Sequence, residues 1–128
     1  GSRVIFTTLI PESDPCGWGG SSWIMELDSV NGQRLDTSPF DIDQDGDFDE
    51  ADLITSYDTN QDGNVDGDDL VEVSGIRVHD VGIIKTPSVV TTGDSTEVKY
   101  ISGSSGTLAD IRESSGDPIG RQSWRQLR

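Results

Sequence analysis

Residues 3–10, RVIFTTLI, crowd β-branched and apolar side chains together up to Pro11, and this composition predicts a strand that ends at the proline. After the loop ESDPCGWGG, the run SSWIMELD alternates apolar and polar positions, the period of a half-buried strand. It leads into DSVNGQRL, where Asn31-Gly32 between apolar runs predicts a hairpin turn with a second strand behind it. Farther along, VGIIKTPSVV, TEVKYISG and TLADIRES repeat the strand pattern, divided by Thr92-Gly93-Asp94 and by Gly103-Ser104-Ser105-Gly106. The closing GRQSWRQLR reads as a last strand with Arg121, Arg125 and Arg128 on a solvated face. No window outside residues 49–74 sustains a helical period, so the body is expected to be β and the stretch in its middle an insertion.

Composition sharpens this picture. A chain of 128 residues suits one modest domain, and 31% apolar residues make a thin core. The formal charge of −15 is not spread evenly: residues 41–72 hold thirteen acids and no Lys or Arg, which leaves eleven acids and nine bases for the rest. Such local charge calls for local counter-charge, because neighbouring carboxylates repel unless a cation sits among them. It also argues against nucleic acid as a partner. No apolar run approaches the roughly 20 residues that span a bilayer. Gly1-Ser2 reads as an expression scar and Arg128 as a natural end. The single cysteine, Cys16, excludes a disulfide within the chain and is either a plain thiol or one whose partner lies elsewhere.

The acidic segment has an internal pattern. With Asp41 at position one of a loop, Asp43, Asp45, Gly46, Asp47, Asp49 and Asp52 fall at positions 3, 5, 6, 7, 9 and 12. That is the spacing of a calcium loop, where alternate residues turn inward and a glycine permits the sharp bend at position six. Asp47 would offer its backbone carbonyl, and Phe48 at position eight would fasten the loop to the protein. Seventeen residues later the pattern recurs as Asp58, Asn60, Asp62, Gly63, Asn64, Asp66 and Asp69, with Val65 at position eight. All the donors are oxygens, which suits calcium, fits zinc and copper poorly, and leaves magnesium as the less suited rival. Two bound calcium ions are therefore expected. Aspartate at position 12, in place of the glutamate of an EF-hand, shortens the arm and moderates the affinity. ADLITSY and DDLVEVSG, behind each loop, are where a brief helix would start. A disordered acidic linker is the bland alternative, and the repeated offsets of glycine and apolar residue speak against it.

Other residues carry less. His79 is the one histidine, so no relay or metal triad forms around a second. Trp18, Trp23 and Trp124 are expected in the core of an aromatic-poor chain rather than on a carbohydrate face. GWGG and SGSSG lack the lysine of a phosphate loop and read as turns. With no nucleophile–base pair and no cofactor motif, no enzyme is expected.

The runs PCGWGGSSWIMELDSVNGQRLDTSPFDIDQDGD, VGIIKTPSVV, VKYISGSSG and GRQSWRQLR resemble the C-terminal part of the PilY family, large type IV pilus biogenesis and tip-adhesin proteins of Gram-negative bacteria. The resemblance extends from Cys16 to Arg128. It implies that residues 3–128 are a single C-terminal β domain of a larger protein, propeller-blade-like, with a calcium-binding insert at 41–72. It further implies a place outside the cell, on the outer membrane surface or the pilus, with pilus subunits, minor pilins or a host surface as partners. In that family calcium occupancy is linked to pilus extension and retraction, and so to twitching motility, adhesion and virulence. The family's DxNxDGxxD loop matches Asp41, Asp43, Asp45, Gly46 and Asp49, and equally Asp58, Asn60, Asp62, Gly63 and Asp66. Two loops in place of one depart from the pattern, and no RGD motif occurs. The competing reading is a dockerin-like module that binds a scaffold partner through its calcium loops, against which the flanking strands and the short repeat argue.

Overall fold

The computed structural model describes residues 3–14, 16–93 and 95–116. It is mainly β, with small antiparallel sheets and almost no helix. Strands β1 (Arg3–Pro11), β2 (Gly20–Asp28) and β5 (Gly75–Val78) form one sheet in the order β1-β2-β5. Strands β6 (Ser88–Thr91), β7 (Thr96–Ser102) and β8 (Leu108–Ser114) form a second, in the order β6-β7-β8. Between them in sequence, the two-residue strands β3 (Ile54–Thr55) and β4 (Leu70–Val71) pair with each other.

The two larger sheets face each other over a small core. Ile24, Phe40, Val73, Val78, Val81, Ile84 and Ile101 pack together there, with Ile5, Ile76, Ala109 and Ile111 against them. Strand alternation explains the selection, since side chains two apart share a face: β2 turns Ser22, Ile24 and Glu26 inward, and β7 turns Glu97, Lys99 and Ile101 inward. One end of the interface is therefore apolar and the other ionic. At the ionic end the Lys99 ammonium lies 2.5 Å from Glu26 and 2.9 Å from Glu97 and also pairs with Glu113. Arg3 on β1 reaches Glu26 at 3.0 Å and pairs with Glu97.

The Asn31-Gly32 turn forms but the hairpin behind it does not. The N–H of Gly32 donates to the Asp28 carbonyl at 2.9 Å, and the Asp28 side chain accepts from Val30 N–H at 2.7 Å, so the bend is well satisfied. Both edges of β2 are already taken, by β1 along its whole length and by β5 from Ser22 to Met25, so the chain after Gly32 cannot pair back along β2 there. The helices expected behind the acidic loops shrink to single 3-10 turns, Glu50–Asp52 and Gly67–Asp69, because the chain goes over at once to β3 and β4. The expected aromatic core is also corrected: Trp18 is 58% exposed and Trp23 37% exposed on the outward face of β2. Trp124 and the closing arginines lie outside the described residues. Among the described residues no helix is long and apolar enough to cross a membrane.

Candidate metal centre

The two acidic loops adopt the same backbone. Position four, Gln44 in the first and Gln61 in the second, has φ of 64° and 63°, and position six, Gly46 and Gly63, has φ of 96° and 94°. Left-handed backbone at position six is what glycine accommodates without strain. The bend then turns successive N–H groups and side chains toward the middle of the loop.

Hydrogen bonds repeat position by position. The N–H of position six donates to the first aspartate, Gly46 to Asp41 at 3.1 Å and Gly63 to Asp58 at 2.9 Å. Position three accepts from position five, Asp43 from Asp45 N–H at 3.2 Å and Asn60 from Asp62 N–H at 2.9 Å. Position five accepts from position seven, Asp45 from Asp47 N–H and Asp62 from Asn64 N–H, both at 2.8 Å. Position nine caps the 3-10 turn that follows, Asp49 accepting from Ala51 N–H at 2.8 Å and Asp66 from Asp68 N–H at 3.1 Å.

Position 12 has a role that the spacing alone did not disclose. Asp52 is almost wholly buried, and its two oxygens accept from Ile42 N–H at 2.5 Å and Asp49 N–H at 3.2 Å. Asp69 is fully buried and accepts from Thr59 N–H at 2.7 Å and Asp66 N–H at 3.0 Å. Each therefore ties position two to position nine and closes its loop like a buckle. Each oxygen of Asp52 keeps a lone pair beyond the N–H it accepts, whereas Oδ1 of Asp69 also accepts from the Thr59 hydroxyl at 2.8 Å and from Asn60 N–H at 3.3 Å.

Carboxylate oxygens of Asp41, Asp43 and Asp45 come within 4.8 Å of one another, a grouping able to hold a metal ion. Within it, Oδ1 of Asp41 is buried and has no hydrogen-bond partner. A buried oxygen of this kind is costly unless something compensates it, which a cation among the three would do. Asp43 registers the crowding. The hydrogen bond from Asp45 N–H pulls its carboxyl down, but desolvation and the charges of Asp45, Asp52 and Asp41 outweigh it and hold the group above its ordinary value. The opposite holds at Asp69, whose carboxyl sits below its ordinary value because of hydrogen bonds from Asp66 N–H, the Thr59 hydroxyl and the N–H groups of Thr59 and Asn60.

The loops differ in how the body holds them. Phe40, one residue ahead of the first loop, is buried and bridges Glu113 of β8, and Phe48 is half-buried. In the second loop Val65 is 57% exposed, so position eight does not fasten it as expected. Asp47 and Asn64 are exposed and contribute their backbone.

A second group of carboxylates escaped the sequence reading. Glu26, Glu97 and Glu113 also bring oxygens within 4.8 Å of one another, and all three are buried. Their centre is taken by the Lys99 ammonium, so a side chain fills the cation's place. The one signal for it is charge at alternate positions 97 and 99 of a strand whose other face offers Val98 and Tyr100. Cys16 is exposed and free. No protein-family model matches the chain, and neither does any curated protein or solved structure.

Proposed function

We propose that the chain is a calcium-binding module of a type IV pilus biogenesis or tip-adhesin protein, in which calcium stiffens the insert and sets the surface offered to pilus subunits or a host. The observation that carries the calcium reading is the agreement of two loops, residue by residue in hydrogen bonding and backbone, around oxygen donors of which one is buried and unpartnered. In the first loop Asp41, Asp43, Asp45, Asp49 and the Asp47 carbonyl would hold the ion, with Asp52 closing the ring. In the second the same places fall to Asp58, Asn60, Asp62, Asp66, the Asn64 carbonyl and Asp69. The donor set contains no sulfur or imidazole, which favours a hard cation, and flexible loops of this length suit calcium better than magnesium. Bound calcium would supply positive charge that cancels carboxylate repulsion. The pilus assignment is supported by the resemblance of GGSSWIMELD, the first loop and GRQSWRQLR to the PilY family.

Titration calorimetry of calcium into the chelated chain tests the reading. Two binding events are expected, the first loop's lost in Asp41→Ala or Asp45→Ala and the second's in Asp58→Ala or Asp62→Ala. No heat of binding at millimolar calcium defeats the proposal.

A further inference from the structure

We propose that Arg112 is a counter-cation built into the fold, which lowers the calcium affinity of the first loop. This rests on the calcium reading above and adds a residue that sets the two loops apart. Arg112 lies on β8 directly before Glu113, whose backbone bridges Phe40, and Phe40 directly precedes the first loop. The anchor of the guanidinium and the entrance of the loop are thus fixed to each other. A methyl carbon built on Gly46, at the bend of that loop, would stand 3.6 Å from Nη1 of Arg112, whereas around Gly63 in the second loop nothing lies within 4 Å. Arg112 and Asp41 also line one groove with Gln44, Ile76, Asp110 and Ile111.

The Arg112 side chain has no hydrogen bond or ion pair among the described residues, so no described carboxylate neutralises it directly. The insert itself contributes no Lys or Arg between residues 41 and 72. A fixed positive charge at the glycine bend of the first loop opposes the entry of a doubly charged ion there, whereas the cation near the second loop, Arg34, is engaged with Tyr57, one residue ahead of Asp58, through a hydrogen bond to its hydroxyl at 2.8 Å. Part of that opposition is screened, because Arg112 is exposed.

The test measures calcium affinity in two backgrounds, Asp58→Ala/Asp62→Ala to leave the first loop and Asp41→Ala/Asp45→Ala to leave the second. Arg112→Gln is expected to tighten the first loop by about threefold to tenfold at low ionic strength, and less at high salt, while leaving the second loop unchanged. Arg112→Lys is expected to keep the original affinity. Arg77→Gln, which makes the same change in net charge on the outward face of the other sheet, is expected to leave the first loop as it was. An unchanged first loop in Arg112→Gln, or an equal gain in both loops, overturns the proposal while the calcium reading stands. Loss of all calcium binding in the parent chain defeats the calcium reading itself.

Discussion

Thr59 donates twice to one oxygen of Asp69, through its backbone N–H at 2.7 Å and its hydroxyl at 2.8 Å. With the Asp66 N–H on the other oxygen, these bonds favour the ionised carboxylate and lower its pKa. A group whose pKa is depressed by folding stabilises the fold above its unfolded value, about pH 4 for aspartate, and that stabilisation drains away as pH falls through the lower folded value. The chelated protein is therefore expected to lose amide protection at Thr59, Asn60 and Asp66 below about pH 4. Thr59→Val, which removes one donor, should move that loss to higher pH in hydrogen-exchange measurements.

Asp43 behaves in the opposite sense. Its raised pKa means that the protonated form suits the metal-free fold, a contribution present at acid pH and lost as pH rises through the raised folded value. Asp43→Asn removes the repulsion without altering the size of the side chain. At neutral pH the substitution is expected to increase amide protection of Asp45 and Gly46 in the chelated protein and to weaken calcium binding by about tenfold or more. A variant that loses both protection and affinity would show that the carboxylate is needed for the shape of the loop itself.

Calcium added to the intact chain should stabilise it by mass action. Each filled site contributes about 2.7 kcal/mol at a free calcium concentration of a hundred times its dissociation constant. Urea denaturation with calcium and with chelator measures the sum. Exchange protection should rise first in the insert and only weakly in β1 and β2, whose ladder owes nothing to the loops.

Lys99→Met strips the ammonium from Glu26 and Glu113, both fully buried. Uncompensated buried charge typically costs about 3 to 5 kcal/mol, and a loss of that order is expected in denaturant melts. Adding Glu113→Leu should recover part of the loss rather than deepen it, because the second change removes one of the stranded charges.

The parts of this fold that were legible in the sequence are those whose signal is local. The β-branched run of β1, the alternation of β2 and the turn-bounded runs of β7 and β8 each reveal themselves within ten residues. The shared bend of the two acidic loops was legible for the same reason, since aspartate and glycine recur there at fixed offsets. What escaped depends on partners remote in the chain. β5 is four residues long and exists because β2 had a free edge for it, and the same occupancy keeps the residues after Asn31-Gly32 from pairing back along β2 there. Asp52 and Asp69 were expected only to bind metal, and what the structure shows of them is that each satisfies backbone N–H groups near the loop entrance, a task visible only once the loop has closed. The inward turn of Glu97 and Lys99 contradicts the hydrophobic pattern of β7 and becomes sensible only when Arg3 and Glu26 arrive from the opposite sheet.

The ionic end of the interface bears on how the two sheets find their alignment. Aliphatic side chains tolerate sliding, since one branched hydrocarbon fills a hollow nearly as well as its neighbour. Charges do not. Moving β2 by one inward-facing step, so that Ile24 replaces Glu26 opposite Lys99, would break the Lys99–Glu26 pair that crosses the interface and set a fully buried ammonium against hydrocarbon on that side. The pentad of Arg3, Glu26, Glu97, Lys99 and Glu113 thus acts as a keyed joint that penalises slipped assemblies during folding, a discrimination its meagre greasy neighbours are too uniform to provide.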